Sequence, residues 1–245
     1  MQNTAFAPTH WSVIAAAGET QLNPEAARAA LADLCKTYWG PLYAFVRSCG
    51  YPVHDAQDLT QGFFAYFIQH KVYARADREK GKFRSFLLAS LKNFLADAHD
   101  REQALKRGGG QELLPLNEEQ AQEAESLFQR QTGEPNAAEH LFERTWAETV
   151  VNSALEMISK TYKVEGKQSL FEALRIFVAM GADPLPSYEQ LAGSLNMPAS
   201  TLRSHVTRLR ARYREALRAE VRRTVGNETE VNEELHELLR VLTAQ

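Results

Sequence analysis

Residues 187–214, SYEQLAGSLNMPASTLRSHVTRLRARYR, hold two helical patterns that meet at a short break, Asn196-Met197-Pro198. Ser187 can cap the first pattern, with Gln190 three positions on as in a capping box. Tyr188, Leu191, Ala192 and Leu195 give that helix an apolar face. Beyond the break, Ser200 or Thr201 can start a second helix. Its apolar stripe is Leu202, Val206, Leu209 and Tyr213, the i, i+4, i+7, i+11 spacing of one buried face. At about 100° per residue the outward face carries Ser200, Ser204, Thr207 and Arg208, flanked by Arg203 and Arg214. Two short helices, a tight turn and a polar, cationic second helix describe a helix-turn-helix. Arg in a major groove pairs bidentately with guanine, while Ser and Thr reach bases or phosphates.

An amphipathic helix with a merely solvated basic face would share the stripe. Two features weigh against that simpler reading. Residues 201–223 contain eight Arg against two Glu, in a chain of net charge −3. The break is also short enough to hold the two helices against each other.

The 245 residues allow one large domain or two small ones. A net charge of −3 excludes a generally basic nucleic-acid coater, so contact with DNA must come from local patches. Cys35 and Cys49 form no CxxC pattern and fit a reducing compartment or two small buried apolar residues. No apolar run approaches a membrane span, and no charged segment followed by an apolar core marks a signal peptide. The expectation is a cytoplasmic protein without membrane contact.

Residues 10–14, HWSVI, fit a short helix or strand, and residues 1–24 are read as an N-terminal extension. From Pro24 to about Gly50, Ala30, Leu31, Leu34, Tyr38, Leu42, Phe45 and Val46 recur at helical spacing, with Gly40-Pro41 expected to kink or divide the helix. Tyr38, Trp39, Tyr43 and Phe45 read as core. A further helix starts at His54 or Asp55, with Leu59, Phe63, Tyr66 and Phe67 as its stripe and Asp55, Asp58 and Gln61 on the opposite or lateral surface. Capping and the helix dipole explain Asp55 and Asp58 more simply than a metal does, because no supporting ligand follows. After a charged loop, residues 83–101 form a helix whose core face is Phe83, Leu87, Leu91, Phe94 and Leu95. Lys80, Lys82, Arg84, Lys92 and Arg101, with Phe86 among them, make a basic surface of the kind that holds single-stranded nucleic acid, although a core Phe beside surface Lys would look the same.

The first domain, residues 25–110, closes at Gly108-Gly109-Gly110. Residues 111–143 hold eight Glu against one Arg and read as an acidic flexible linker. The second domain spans 144–223. Val231, Leu235, Leu238, Leu239 and Leu242 mark an amphipathic C-terminal helix over 224–245, which docks on its own domain or on a partner. No segment demands a strand. The expected fold is therefore all-α: two small helical domains joined by an acidic linker, the second a helix-turn-helix domain.

At three points the chain resembles a bacterial RNA polymerase sigma factor of the extracytoplasmic-function type. Asp55-Ala56-Gln57-Asp58-Leu59-Thr60-Gln61-Gly62-Phe63-Phe64 is similar to the DAEDLxQEVF stretch with which that family grips the clamp helices of the polymerase largest subunit. Phe83-Arg84-x-Phe86-Leu87, then Asn93, Asp97 and Arg101, resembles the FRxWLxxxxxN…D…R spacing of the promoter-melting helices. Thr201 to Arg210, TLRSHVTRLR, is similar to the TVKSRLHRAR recognition helix. The resemblance covers roughly residues 27–220, with the motifs in the family's order and separation. Gly62 stands where the family has Glu, and Phe86 where it has Trp. The linker is longer than in the smallest members, and the two termini have no counterpart in the family core.

The resemblance implies a specificity subunit and not an enzyme, with no cofactor and no metal. Asp55, Asp58, Gln61 and Phe64 would dock on core RNA polymerase. Lys82, Arg84, Phe86, Lys92, Asn93 and Arg101 would hold the melted non-template strand at the downstream (−10) promoter element. Ser200, Thr201, Arg203, Ser204, Thr207 and Arg208 would read the double-stranded upstream (−35) element. An anti-sigma protein is a further conceivable partner. Two modest domains gain avidity when both sites engage, so the free chain is expected to bind promoters weakly. Two other classes compete. A dimeric helix-turn-helix regulator would use residues 1–110 as a sensor and need no polymerase. A metal-dependent nuclease or nucleotidyl transferase would use Asp55, Asp58 and Asp97, but the sequence has no nucleophile–base arrangement and no phosphate-cradling loop.

Overall fold

Helix is the only regular structure among the described residues of the computed structural model, which are 24–77, 81–104, 118–131, 138–178, 185–225 and 228–243. The all-α expectation holds there. The expectations for residues 10–14 and for the N-terminal extension lie outside the described residues. The chain divides into two units, residues 1–149 with 221–245, and residues 150–220.

The first unit begins with α1 (Pro24–Ser48), α2 (Val53–Gln69), a 3-10 turn (Val72–Arg75) and α3 (Phe83–Ala104). Pro24 opens α1 where its missing N–H costs nothing. Of the two outcomes expected at Gly40-Pro41, division does not occur, and one helix runs through both residues. A proline removes one hydrogen bond, and here Trp39, Leu42 and Tyr43 are buried on either side, so packing outweighs the loss. Tyr38, Trp39, Tyr43 and Phe45 are all core residues. The rings of Tyr38 and Phe83 meet edge to face at 5.7 Å, and Phe63 meets Phe94 the same way at 5.7 Å.

The buried face of α2 is rotated from the one its sequence predicts. Ala56, Thr60, Gln61, Gly62, Phe63, Phe64 and Phe67 are buried, whereas Leu59 and Tyr66 are half-buried. Two adjacent phenylalanines widen the apolar face. Thr60 joins it by donating its hydroxyl to the Ala56 carbonyl at 2.7 Å. Gly62 lies beneath Phe94, whose Cζ stands 3.6 Å from where a Cβ would be, an ordinary van der Waals contact.

The acidic stretch is not simply a flexible linker. It contains α4 (Glu118–Gln131), which packs on α1, and the start of α5 (Ala138–Val164). Ala121 and Ala124 are buried. The Glu125 carboxylate accepts from Tyr43 Oη and from both Nε and Nη2 of Arg47, at 3.0 and 3.1 Å for the guanidinium. The same guanidinium lies 4.6 Å over the Phe128 ring. The charge that suggested a solvated tether thus docks a helix through a fork-shaped ion pair. The remaining parts of the expected linker, 111–117 and 132–137, lie outside the described residues.

The second unit takes the later part of α5, α6 (Gln168–Leu174), a 3-10 turn (Arg175–Phe177), α7 (Tyr188–Ser194) and most of α8 (Ala199–Thr224). Two left-handed residues shape it. Gly166, at φ +70°, ends α5, with Lys167 N–H donating to Tyr162 O and Gly166 N–H to Lys163 O. Asn196, at φ 50°, ends α7 in the same double pattern, Met197 N–H to Ala192 O and Asn196 N–H to Gly193 O. Both are Schellman caps, for which Gly and Asn are the residues of choice. The core of this unit includes Ile158, Tyr162, Phe171, Leu174, Leu202, Val206 and Leu209.

The last helix, α9 (Glu228–Thr243), groups with the first unit, and so does the start of α5. Val231, Glu234 and Leu238 are its buried residues. No helix of the described residues is long and apolar enough to cross a membrane.

The Glu125 contact gives the first unit an acid-sensitive joint. Burial pushes the Glu125 carboxyl up, but the hydrogen bonds from Arg47, Tyr43 and Gln129 outweigh it and hold the group below its ordinary value of 4.5. A depressed carboxyl stabilises the fold above its unfolded value, and that stability is lost as the pH falls through the folded one. Glu125→Gln should cost on the order of 1–2 kcal/mol and flatten this dependence. Limited proteolysis between pH 7 and pH 3 checks it. Cleavage within 118–131 should rise on acidification in the wild type and already be raised at pH 7 in the variant.

Candidate nucleic-acid interface

The N-terminal half of α8 carries the exposed cationic face that its sequence predicts. Ser200, Thr201, Arg203, Ser204, Thr207 and Arg208 are all exposed, while Leu202, Val206 and Leu209 are buried on the opposite side. The capping box at the head of α7 is complete. Ser187 Oγ accepts from Gln190 N–H at 3.1 Å, and Gln190 Oε1 accepts from Ser187 N–H at 3.3 Å. The Schellman cap at Asn196 then turns the chain into α8, where Thr201 N–H and Leu202 N–H both donate to Pro198 O.

The side chains on this face are not equally available. Ser204 donates its hydroxyl to Ser200 O and Thr207 donates to Arg203 O, so each must turn its proton away from the helix to reach a phosphate. Arg203 is held by Glu189 at 2.7 Å and lies 5.5 Å over the Tyr188 ring, which itself stacks on Phe177. Arg210 donates to Phe177 O, and Arg212 pairs with Glu165 at 2.9 Å over the Tyr162 ring. These arginines, although exposed, contact groups of their own unit, and Arg208 and Arg214 are exposed as well. Next to this face, burial, Arg208 and Lys167 push the His205 imidazole below its ordinary value, which favours its neutral form.

The six positions expected on the melted strand do not form one surface. Lys82 and Lys92 are exposed, and Asn93 is exposed beside Lys92. Phe86 is half-buried, its ring 6.1 Å from Phe83 and 6.4 Å from Phe67. Phe86 and Asn93, seven residues apart, share a face of α3, and Lys92 stands about 100° round from Asn93. Lys92 pairs with Glu139 and lies 5.7 Å over the Phe45 ring. Arg101 falls within α3, and its side chain lies outside the described residues.

Arg84 is in the core, not on the surface, with a side chain 4 % exposed. Its Nε donates to Glu143 Oε2 at 2.6 Å, and its Nη1 pairs with Glu234 of α9. The guanidinium lies 4.2 Å over the buried Trp146 ring. Lys82 approaches the other oxygen of Glu234 at 2.6 Å, and Glu234 is 1 % exposed. As placed, Arg84 has no open side to offer a phosphate. The physical reason is its helical position, since Arg84 shares a face with the buried Leu87, Leu91 and Leu95.

Of the positions expected on core polymerase, Asp55 and Asp58 are exposed in the first two turns of α2. Gln61 and Phe64 belong to the rotated buried face and do not join them. Asp97 is exposed on α3. Among the described residues no group of three or more His, Cys, Asp or Glu is placed to hold a metal ion.

Glu143, Trp146 and Glu234 escape a reading based on motifs. The signal that finds them is a charge inside an apolar stripe. Glu234 sits between Val231 and Leu238 as Arg84 sits among Phe83, Leu87 and Leu91, and buried charges of opposite sign need each other.

Compared with protein-family models, curated proteins and solved structures, the chain matches none of them significantly.

The ion cluster and the α8 face should respond differently to substitution. Arg84→Met leaves Glu234 and Glu143 without their main partner and should cost roughly 3–5 kcal/mol. Arg208→Ala, on an exposed face, should change stability by no more than about 0.5 kcal/mol. Urea denaturation followed by circular dichroism separates the two.

Proposed function

We propose that the chain is a sigma-type specificity subunit of bacterial RNA polymerase, in which α7, its Asn196 turn and α8 form a helix-turn-helix for the upstream promoter element. The observation that carries this reading is the face of α8, where six side chains suited to duplex DNA are exposed together above a buried Leu202–Val206–Leu209 stripe. Arg208 and Arg203 are the specificity candidates, because a guanidinium reads guanine bidentately. Ser200, Thr201, Ser204 and Thr207 would position the helix on phosphates. Arg203 must exchange Glu189 for DNA, which tempers its net contribution.

In this reading the exposed Asp55 and Asp58 meet the polymerase, and Gln61 and Phe64 support them from within by fixing α2. Phe86 and Asn93 offer a stacking ring and a hydrogen-bonding amide to an unpaired base, and Lys92 a cation to the backbone. No step of chemistry is assigned to the chain. Its work is to hold DNA for the polymerase.

The test is binding to purified bacterial core polymerase. The informative variant is Asp55→Ala/Asp58→Ala, because both positions are exposed. Phe64→Ala would leave a core cavity worth roughly 3–5 kcal/mol and confuse unfolding with lost contact. The wild type should bind saturably, and the double variant at least tenfold more weakly with its helicity unchanged. Equal binding by both would remove the acidic face of α2 from the proposal. No binding by the folded wild type would overturn it.

A further inference from the structure

The cationic N-terminal end of α3 is occupied by an acidic helix of the same chain. Glu234 places its two carboxylate oxygens against Arg84 and Lys82. Glu233 and Glu237 stand close enough to Lys82 to influence its charge, with Glu143 on the α5 side. A carboxylate and a phosphate are recognised by the same donors, the guanidinium fork and the ammonium, so α9 offers α3 what a nucleic-acid backbone would offer it. Only two apolar side chains of α9, Val231 and Leu238, are fully buried, while Leu239 is exposed. Leu235, Val241 and Leu242 are half-buried, so the docking of α9 combines an apolar stripe with the Glu234 charge.

We infer that α9 is an intramolecular acidic strap whose Glu234 occupies the Lys82–Arg84 cation pair in place of single-stranded nucleic-acid phosphate, and that binding of the strand and docking of α9 exclude each other. This rests on the reading of α3 as the surface for the melted strand. It explains why a residue of that motif is buried and ion-paired. Being tethered, the strap competes at an effective concentration in the millimolar range for a short connection, which a weakly bound oligonucleotide does not match. A strand held firmly elsewhere, as in an opened promoter, would match it. Displacement of α9 then releases Lys82 from its Glu234 pair and opens the Glu234 side of Arg84 only where single-stranded DNA is already present.

The probe is a fluorescent single-stranded oligodeoxynucleotide of mixed sequence, titrated against the full chain at fixed salt and followed by anisotropy. Glu234→Gln should tighten binding at least tenfold. It should also steepen the dependence of log K on log[salt] by roughly 0.7 for each further phosphate that the protein neutralises. Glu123→Gln on α4 removes the same charge and should do neither. Lys82→Ala in the Glu234→Gln background should reverse part of the tightening. Equal binding by wild type and Glu234→Gln, both folded by circular dichroism, would overturn the strap. Should Glu234→Gln unfold, hydrogen exchange of the wild type decides. Oligonucleotide raised to about 10 mM, above the strap's effective concentration, should speed exchange of the amides of residues 228–243, and unchanged exchange there would overturn the inference. Core-polymerase binding by the wild type, measured separately, distinguishes a failed strap from a failed sigma reading.

Discussion

Buried charge is the constraint on which the first unit depends. Arg84, Glu143 and Glu234 come from three helices far apart in sequence, and the ring of Trp146 closes the cluster. Arg84 and Glu234 are buried, and taking either charge out of water alone costs several kcal/mol, so each is tolerable only with its partners in place, the half-buried Glu143 among them. That requirement is directional where apolar packing is not. It fixes the register of α3 against α5 and brings the C-terminal helix into the same unit as residues near the N-terminus. Glu125, Tyr43 and Arg47 do for α4 on a half-exposed surface what this cluster does in the core.

The arginines of α8 divide in a way that net charge conceals. Those at 203, 210 and 212 are held by partners within the second unit, three contacts that keep the helix in place. Arg208, on the exposed side, retains its charge for a ligand. A chain of net charge −3 can thus present a locally cationic helix without being a general polyanion binder. In the proposed function this is useful, because selectivity requires weak binding everywhere else.

Local signals in the sequence are readable where local chemistry decides. The Ser187–Gln190 capping box, the break at Asn196 and the Leu202–Val206–Leu209 stripe follow from hydrogen bonds and periodicity within a few residues. The same holds for the Phe83–Leu87–Leu91–Leu95 face. Tertiary partners decide the rest. Residues 118–131 look like a tether because their acidity is read against water and not against Arg47. Gln61 and Phe64 look like surface when a motif is read without the width of the face that Phe63 and Phe64 share. Arg84 looks like a phosphate ligand until its partner appears on a helix 150 residues away, Glu234. The hint is present, a charge of each sign inside two apolar stripes, but pairing them requires the fold.

A chain that directs a polymerase to promoters must change where transcription starts. Transcription in vitro from fragmented genomic DNA by purified core polymerase, with and without the chain, followed by sequencing of the RNA 5′ ends, reads that change directly. A sigma-type subunit should produce new start sites that share a two-block motif upstream and vanish with Arg203→Ala/Arg208→Ala. Start sites identical to those of core polymerase alone, with the chain instead binding a palindromic duplex as a dimer, would contradict it.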